Sequence, residues 1–392
     1  MTNTPKTLVR RTPWPEGSAV PVGTPLQPSV VYDAGSPDGL DAIYDGDAQG
    51  YTYAREGHPN ADVLAGKIDG MEGAEGGIIL SSGMAAVTAV VLGLLGQGDH
   101  IVAGDQLYGR SLRLLTQDLP RWGIEATLTD AGDLGAVEAA LRPATKMILI
   151  ELVSNPTLRV ADLHGLARLA QDRGILFVVD NTFTTPRAFQ PFDHGADVVI
   201  HSVTKLLAGH SDVTLGYAVA RDANHRKAIY DLATTMGLTG SPFDCWLAER
   251  GLYSFDLRYD RAEENAKALA AFLGDHPKVE RVIYPGRSDH PDADRAKALL
   301  GARTGNMVSF EIAPSRAAAN AFAKGCANIV FAPTLGDIGT TLSHPPSSSH
   351  RALSPEARAA MGISEGFFRV SVGVEPIDLL ISEIDVALNA LA

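Results

Sequence analysis

Cysteine is scarce in this chain of 392 residues, which contains only Cys245 and Cys326. Two cysteines cannot supply the several crosslinks of a disulfide-stapled secreted domain, so they suit a reducing compartment and predict a cytoplasmic protein. Long apolar runs are also missing, and none approaches the roughly 18 residues of a membrane-spanning helix. The first segment, MTNTPKTLVRRTPWPEG, has no apolar core of the kind that a secretion signal needs.

Positive charge is in deficit as well. The chain has 33 Lys and Arg against 46 Asp and Glu, a formal net charge of −13, which argues against nucleic acid or an anionic membrane surface as a partner. The eleven histidines show no HxxxH pair and no Cys/His spacing typical of zinc, so we predict no metal. No GxSxG segment indicates a serine hydrolase. We therefore expect a partner that is a small molecule.

The clearest chemical pattern lies between residues 146 and 205. Three short apolar runs there are each followed by polar residues, at 147–153, 175–179 and 197–200. A helical pattern separates the first two runs, and such alternation is typical of buried parallel strands in βαβ units. Because parallel sheets bind ligands at the carboxyl ends of their strands, the polar residues after these runs should converge on one crevice.

Three of those polar residues, Asn155, Asp180 and Lys205, form a set with a chemical meaning. A lysine with a lowered pKa can form a Schiff base with a carbonyl, and a carboxylate can keep a pyridinium nitrogen protonated. Pyridoxal phosphate (PLP) requires both groups from a protein. Asn155 can bond the ring hydroxyl, while the hydroxyls of Ser202 and Thr204 can hold the phosphate. The pattern therefore predicts PLP on Lys205.

The segment SVTKLLAGHSDVTLG, residues 202–216, resembles the PLP-lysine signature of the transsulfuration enzymes. That family includes cystathionine γ-synthase, cystathionine γ-lyase, cystathionine β-lyase, methionine γ-lyase and the homoserine-ester sulfhydrylases. Eight segments spread over nearly the whole chain are similar to the family's motifs and follow in its order: YTYAREGHPN, SSGMAA, LYGR, SNP, VVDNTF, HSVTK, the HP at 344 and FRVSVGVE. One such motif would be weak support, but eight in order are strong.

The resemblance implies a fold, a domain organisation and an assembly. The fold is the α/β PLP-dependent transferase fold, aspartate-aminotransferase-like (fold type I), with a mainly parallel seven-stranded sheet in the large domain. We predict an N-terminal arm at 1–60, a large PLP-binding domain at 61–255 and a smaller α+β domain at 256–392. The arm is expected to be irregular and to contact a neighbouring subunit, the alternative being a disordered tail. The family is also expected to form a homotetramer, a dimer of dimers with shared active sites.

The sequence also predicts a long helix at the end of the large domain. We predict that residues 222–237 and 243–274 form a long helix that leaves the large domain.

Further cofactor contacts follow from the resemblance. Tyr53 and Arg55 match the residues with which the arm binds the cofactor phosphate, the alternative being ordinary surface residues. The glycine turn before a helix at Gly83 and Met84 offers backbone N–H groups that suit a phosphate. Thr182, in VVDNTF, joins the set of cofactor-binding residues.

Tyr108 and Arg113 follow a predicted strand at 101–103. Tyr108 matches the family's stacking tyrosine and is expected to lie against the cofactor ring and assist proton transfer. Arg113 stands where γ-type enzymes use an arginine toward the distal carboxylate of the substrate. A solvated helix face is the alternative for Arg113. Arg110 replaces the cysteine of typical methionine γ-lyases, which argues against that activity.

The C-terminal region is predicted to bind the substrate. Arg369 matches the arginine that clamps the α-carboxylate, and Thr334 stands where many members have a serine. Gly339 replaces a glutamate associated with γ specificity, so the exact substrate stays open. Two further departures from the family, His58 and Asn60, suggest a modified loop after the arm.

We expect a PLP-dependent elimination or replacement at Cγ of an amino acid, with Lys205 as the base. Substrates of this type are cystathionine, an O-acylhomoserine or another γ-substituted amino acid. The alternatives are a cystathionine β-lyase or a methionine γ-lyase type of C–S lyase. An alternative of another class is a non-catalytic binding or assembly module with the same fold.

Overall fold

A seven-stranded sheet forms the centre of the large domain in the computed structural model, which describes residues 18–351 and 353–391. Its strands are β1 (Ile78–Leu80), β2 (His100–Gly104), β3 (Glu125–Thr129), β4 (Thr145–Glu151), β5 (Leu176–Asp180), β6 (Val198–His201) and β7 (Gly216–Ala220). They lie in the order β1-β7-β6-β5-β4-β2-β3, and β7 alone among them runs antiparallel to its neighbours. The predicted mainly parallel seven-stranded sheet is therefore confirmed.

Helices cover both faces of this sheet. They are α1 (Pro37–Tyr44), α2 (Pro59–Glu72), α3 (Gly83–Leu94), α4 (Gly109–Arg113), α5 (Leu134–Ala140), α6 (Leu163–Arg173), α7 (Thr185–Ala188), α8 (Ala223–Thr235) and α9 (Pro242–Leu252). Successive residues of β4 alternate between two apolar clusters: Ile148 and Ile150 belong to one, Met147 and Leu149 to the other. Because both faces are buried, the strands read as continuous apolar runs in the sequence.

A second sheet lies in the C-terminal third of the chain. Its strands are β8 (Val279–Ile283), β9 (Met307–Ile312), β10 (Val330–Phe331), β11 (Thr341–Ser343) and β12 (Phe367–Ser371). They lie in the order β10-β11-β12-β9-β8 and are antiparallel except for the pair β10 and β11. The helices of this region are α10 (Phe255–Asp275), α11 (Ala293–Leu300), α12 (Arg316–Gly325), α13 (Pro355–Ala360) and α14 (Ile377–Asn389). The smaller α+β unit is therefore present, as expected.

The long helix α10 belongs to both halves of the molecule. Phe255 and Tyr259 at its start pack in the apolar cluster of the large sheet, whereas Leu269 and Leu273 pack in the cluster of the small sheet. The predicted boundary between 255 and 256 falls at the first residues of this helix, and it stays a prediction.

Two expectations about helices were wrong. The arm is not irregular throughout, because it contains α1, whose first turn is capped by Ser36 accepting a hydrogen bond from Gly39 N–H at 3.0 Å. Residues 1–17 of the arm and the last residue, 392, lie outside the described residues. The single helix expected over 222–274 is three helices, α8, α9 and α10. Gly237 adopts a left-handed conformation after α8, and Pro242 begins α9 because proline cannot continue a preceding helix.

Two structural features are absent from residues 18–351 and 353–391. No helix there is both long enough and apolar enough to cross a membrane. No cluster of three or more His, Cys, Asp or Glu side chains in the same ranges is arranged to hold a metal ion.

Candidate active site

The carboxyl ends of β4, β5 and β6 meet at one edge of the large sheet, as the sequence predicted. Glu151, the last residue of β4, lies opposite Asp180, the last residue of β5, and Asp180 lies opposite Ile200 of β6. Lys205 follows β6 in a tight turn in which its backbone N–H donates to Ser202 O at 3.1 Å. This register places the polar ends of the three strands side by side.

The amine of Lys205 lies in a partly buried position near the positive charge of Arg369. Its Nζ is 3.4 Å from Thr334 Oγ1, a weak contact with a neutral hydroxyl. Burial lowers the pKa of Lys205, and the positive charge of Arg369 lowers this pKa further. A lysine with a depressed pKa is more often neutral near pH 7, which is the form that acts as a nucleophile or base.

A loop from the small domain closes on the Lys205 turn. Gly336 has a φ of +80°, and a Cβ at this position would come within 2.8 Å of Lys205 C and 2.5 Å of Leu206 N. Only glycine allows this approach without strain. The N–H of Gly336 also donates to Ser371 Oγ on β12 at 2.8 Å. The small domain therefore helps to form the wall around Lys205, and it brings Thr334 with it.

The carboxylate of Asp180 is oriented by its neighbours. Its Oδ1 accepts hydrogen bonds from the backbone N–H and the hydroxyl of Thr182, at 3.0 and 2.6 Å. Thr182 Oγ1 in turn accepts from Ser202 N–H at 2.8 Å. Burial raises the pKa of Asp180, while the bonds from Thr182 and the nearby His201 oppose that rise. Thr182, predicted as a cofactor contact, here orients Asp180.

Arg369 on β12 is 5% exposed and faces the end of β4. It donates to Asn155 Oδ1 at 2.5 Å and to the backbone oxygen of Thr334 at 2.9 Å. Its Nε is buried and has no hydrogen-bond partner among the described residues. Burial lowers the pKa of Arg369 to about 10, with Glu151 and Tyr108 opposing. A buried guanidinium with an unused N–H is suited to bind a carboxylate.

The first turn of α3 offers a place for a phosphate. Ser82 caps the helix by accepting a 3.0 Å hydrogen bond from Ala85 N–H. The N–H groups of Gly83 and Met84 lie in the first turn, where the helix itself provides no acceptor, so they can bind an anion. A Cβ on Gly83 would lie 2.7 Å from the Cβ of Ser202. The hydroxyl of Ser202 therefore lies at the amino end of α3, where it adds a donor to this cradle.

Thr204 makes different contacts from those expected for a phosphate ligand. Its hydroxyl donates to Leu215 O at 3.1 Å and accepts from Leu215 N–H at 2.9 Å. These two bonds join the Lys205 turn to the segment before β7. A contact between Thr204 and a phosphate stays a prediction.

Tyr108 lies immediately before α4, close to Arg369. Its backbone N–H donates to Glu151 Oε1 at 2.7 Å. The side chain is 42% exposed, so a flat ligand could lie against the ring. Its stacking on a cofactor stays a prediction.

The arm residues Tyr53 and Arg55 contact each other rather than the Lys205 turn. The guanidinium of Arg55 lies 5.0 Å from the centre of the Tyr53 ring and 3.6 Å from Glu56. Tyr53 is 39% exposed. Both side chains are therefore available on the surface of this chain, and their binding of a phosphate stays a prediction.

The surroundings of Arg113 are those expected of a residue on a solvated helix face. Its Nε lies 3.7 Å from Asp118 Oδ2, and the two side chains are 55% and 43% exposed. This exposed ion pair supports a solvated helix face. The predicted contact between Arg113 and a substrate is not tested by it.

The departures at His58 and Asn60 have structural causes. His58 caps α2 by accepting from Ala61 N–H at 3.1 Å, and its Nε2 lies 3.0 Å from Gly240 O. Asn60 bonds both Gln27 N–H and Pro25 O. The loop thus attaches the arm to the large domain.

The departure at Gly339 also has a local explanation. Its N–H donates to Asp337 Oδ1 at 2.8 Å, and a Cβ would lie 3.6 Å from Glu375 Oε1. A glutamate at position 339 would therefore begin between two carboxylates, which like-charge repulsion disfavours. The surrounding residues suit glycine here.

Two groups of functional importance were missed in the sequence. Glu151 ends the apolar run of β4 just as Asp180 ends that of β5, so the same signal could have found it. Arg258 of α10, which is 6% exposed, donates to the carbonyls of Leu206, Leu207 and Gly251 at 2.9 to 3.0 Å. No local pattern marks Arg258, because its role depends on packing between distant segments.

The residues of this site fit PLP. An aldehyde, a pyridine nitrogen, a phosphate and an amino-acid carboxylate each need a particular donor or acceptor. The site offers a lysine with a lowered pKa, a buried carboxylate, a helix terminus with a serine, and an arginine with an unused buried N–H. The site therefore offers a suitable partner for each of these four groups.

Comparison with known proteins agrees with this geometry. The family model for Cys/Met metabolism PLP-dependent enzymes matches residues 9–389. Cystathionine β-lyase of Bacillus subtilis is 40% identical over 342 residues, 87% of this chain and 87% of that protein. Cystathionine γ-lyase of the same organism is 39% identical over 344 residues, 88% of this chain and 90% of that protein.

A solved structure extends the similarity to three dimensions. Cystathionine γ-synthase from Xanthomonas oryzae pv. oryzae, in complex with aminoacrylate and cysteine, has a TM-score of 0.88 and 37% identity, covering 94% of this chain and 93% of that chain. The resemblance found in the sequence is thereby confirmed. This chain belongs to the Cys/Met metabolism family of PLP-dependent enzymes.

Proposed function

We propose that this enzyme catalyses elimination or replacement at Cγ of an amino acid, with cystathionine, an O-acylhomoserine or another γ-substituted amino acid as substrate. The observation that carries the proposal is the setting of Lys205, whose amine lies 3.4 Å from the neutral hydroxyl of Thr334 and whose pKa is lowered by burial and by Arg369. Chemistry at Cγ requires one base to serve both Cα and Cβ. A neutral amine without an anionic partner, on a flexible four-carbon chain, suits that task.

PLP, when bound, supplies an aldehyde for the substrate amine and a ring that takes up electrons from Cα. The protein supplies the rest. Lys205 would take the proton from Cα, pass it on to the bound cofactor and then, as a free amine again, take a proton from Cβ. The group on Cγ would then leave with its bonding electrons or be replaced by a thiol. Asp180 holds a proton at the ring nitrogen, in the position that Thr182 gives it.

Arg369 is the proposed anchor for the α-carboxylate. Its bonds to Asn155 and to the backbone of Thr334 hold the guanidinium in one orientation. Its unused Nε–H then gives a charge-assisted bond to the substrate. Lys205 and Arg369 both contact Thr334, which supports the proposal that a substrate held at Arg369 would have its Cα near the Lys205 amine.

Products decide between Cγ and Cβ chemistry. The purified enzyme should be given cystathionine, homocysteine, methionine and O-acylhomoserines, and the keto acids measured. Formation of 2-oxobutanoate supports the proposal, whereas pyruvate as the sole product from every substrate would overturn it.

The second candidate is a β-lyase or a methionine γ-lyase type of C–S lyase. The 40% identity to a cystathionine β-lyase favours the first of these, and it is close to the 39% identity to a γ-lyase. Arg110 in place of cysteine argues against the second. The same product assay separates them, because methionine yields 2-oxobutanoate only with a methionine γ-lyase.

A non-catalytic module of the same fold is the alternative from another class. A module predicts a colourless protein, or one whose visible absorbance does not depend on Lys205. An enzyme predicts absorbance that Lys205→Ala abolishes, together with turnover.

The assembly and location are further parts of the proposal. We infer that the chain forms a homotetramer, built from dimers in which the arm reaches the neighbouring active site, because Tyr53 and Arg55 are accessible on this chain. We also infer the cytoplasm, since Cys245 and Cys326 are buried free thiols and burial raises the pKa of each to about 12. Such thiols are unreactive.

A further inference from the structure

Glu151 is a carboxyl group in the wall of the active site to which the proposed reaction gives no task. It ends β4 opposite Asp180. Its Oε1 accepts the backbone N–H of Tyr108 at 2.7 Å, while its Oε2 is buried without a hydrogen-bond partner among the described residues. A buried polar atom of this kind requires a functional or structural explanation.

The helix that begins beside Glu151 has no cap of its own. Tyr108 stands at the cap position of α4, a helix of five residues, and its side chain makes no capping hydrogen bond. The carboxyl of Glu151, on a strand 43 residues away in the sequence, instead accepts the N–H of the cap residue itself. Because the Tyr108 side chain is 42% exposed, packing alone does not hold it. The bond from Tyr108 N–H to Glu151 therefore helps to fix the Tyr108 backbone, together with the 3.0 Å bond from Leu112 N–H to the Tyr108 carbonyl.

The polar and charged groups closest to Glu151 come from three elements. Asp180 approaches from β5, Arg369 from β12 and the Tyr108 amide from the start of α4. On another side lies a small cavity lined by these polar and charged residues together with Glu151: Asp105, Gln106, Asp130, Ser154 and Arg159.

This environment favours the uncharged acid. Burial raises the pKa of Glu151 well above its usual range, and the charge of Asp180 raises this pKa further. The Tyr108 N–H and Arg369 oppose that rise. An uncharged Glu151 can still accept the Tyr108 bond, and it does not compete with a substrate carboxylate for Arg369.

We propose that Glu151 is a positioning residue that holds the Tyr108 backbone and thereby fixes the Tyr108 ring against the cofactor. Its acceptor oxygen, rather than a negative charge, performs this task. The proposal rests on the proposed stacking role of Tyr108, and it predicts that glutamine can replace Glu151 whereas alanine cannot.

The test compares Glu151→Gln and Glu151→Ala with the unchanged protein. Glu138→Ala is the matched control, since Glu138 is an exposed glutamate paired with Arg173 at 2.8 Å. Hydrogen exchange of the peptide covering residues 107–113 is measured in the cofactor-free protein. PLP dissociation and the kcat and KM for the preferred substrate are then measured in the holoenzyme.

We expect Glu151→Ala to accelerate exchange in 107–113 and to lower kcat/KM by roughly 10- to 100-fold, as a misplaced active-site group does. Glu151→Gln should keep the exchange protection and lose less than about threefold in kcat/KM. Glu138→Ala should match the unchanged protein. If Glu151→Ala does not fold, Glu151→Asp, which withdraws the acceptor by one methylene, replaces it in the same comparison.

Two results would overturn the proposal. Unaltered exchange in 107–113 after loss of the acceptor would show that Glu151 does not hold Tyr108. An equal loss with glutamine and alanine would show that charge, not the acceptor, matters. The exchange measurement needs no substrate, so a wrong assignment of the Cγ reaction would leave it intact.

Discussion

Lys205 and Arg369 depend on each other although they belong to different domains. Arg369 lowers the pKa of Lys205, second only to burial. Both contact Thr334, Lys205 through the hydroxyl and Arg369 through the carbonyl. The residue that is proposed to bind the carboxylate therefore also helps to keep the base unprotonated.

Arg369→Gln should raise the pKa of Lys205, because a positive charge that disfavours the ammonium is removed. Burial persists, so this pKa should remain below that of an exposed lysine. The measurement is the pH dependence of Lys205 acylation in the cofactor-free protein, followed by mass spectrometry. kcat/KM should also fall by about 100-fold or more, since a buried charged bond to the substrate is lost.

Arg261→Gln serves as the control for this change, because Arg261 pairs with Glu264 on the surface at 3.1 Å. An acylation profile that does not move in Arg369→Gln would contradict the electrostatic link between the two residues.

His350 lies buried near Arg369 and makes the protein sensitive to acid. The residue is 2% exposed, and burial, then Arg369 and Arg358, lowers the pKa of His350 to about 4. In the unfolded chain this pKa returns to about 6.5. Between these values the unfolded chain binds a proton that the native protein does not. Stability should therefore fall as the pH drops from about 6.5 to about 4, by up to about 3 kcal/mol.

His350→Gln should remove this part of the acid sensitivity. The measurement is the free energy of unfolding between pH 4.5 and 7 for the variant and the unchanged protein. The free energy of unfolding of the variant, relative to that of the unchanged protein, should rise as the pH falls. His210→Gln, at an exposed position, is the control. A pH-independent difference would show that His350 is not the group responsible.

At the scale of elements, a buried carboxylate joins α2 to the large sheet. Glu72, at the end of α2, accepts from Asn181 Nδ2 at 3.0 Å and bonds His201 Nε2 on β6. All three side chains are almost completely buried. Asn181 and His201 flank the segments that carry Asp180 and Lys205, so this network supports the site from behind.

Glu72→Ala should lower the free energy of unfolding by about 3 to 5 kcal/mol, because it leaves the buried His201 Nε2 without its partner and removes one of the two acceptors of Asn181 Nδ2. Denaturant unfolding monitored by fluorescence provides the measurement. Glu75→Ala, three residues further on, is the matched control, since the Glu75 side chain is 90% exposed and lies 3.9 Å from Arg226. Equal losses in the two variants would argue against the buried network.

At the scale of the whole molecule, the site exists only where the two sheets meet. Arg159 of the large domain binds Asp292 with two bonds, at 2.6 and 3.0 Å, and Ser309 Oγ on β9 donates to Pro156 O at 2.6 Å. These contacts lie beside Asn155, which meets Arg369 from β12. The relative position of the domains therefore sets the distance between the proposed base and the proposed carboxylate anchor.

A mixing experiment tests whether neighbouring subunits share active sites. Lys205→Ala and Arg55→Ala should each be nearly inactive alone. Co-expressed in equal amounts, they should recover about a quarter of the unchanged activity, because half of the dimers are hybrids and each hybrid has one intact site of two. Activity is measured on the whole co-expressed preparation, and a different affinity tag on each variant verifies that hybrids have formed.

The opposite arrangement gives a distinct result. If Arg55 served the Lys205 of its own chain, no hybrid would contain an intact site, and the mixture would be no more active than its parts. Co-expression of Lys205→Ala with Asp180→Ala is the control, since both residues belong to the same site and should not complement each other.

Much of the fold could be predicted because its signals are local. The apolar runs that became β4, β5 and β6 were located to within two residues, and the polar residues after them do lie together. The expectations that failed concern chain segments whose structure depends on single capping residues, such as Ser36 before α1 and Pro242 before α9. In these segments the prediction followed the composition of the surrounding residues and overlooked the short capping signals.

The sequence by itself determined the family, the mainly parallel sheet and the residues that end its strands, because periodicity and motif order are properties of neighbouring residues. Only the tertiary structure decided which of these side chains touch. Arg369 meets Asn155 across 214 positions, and Glu151 meets Tyr108 across 43. Such pairs depend on how two domains and their loops pack, and no local pattern in the chain encodes a distance between segments so far apart.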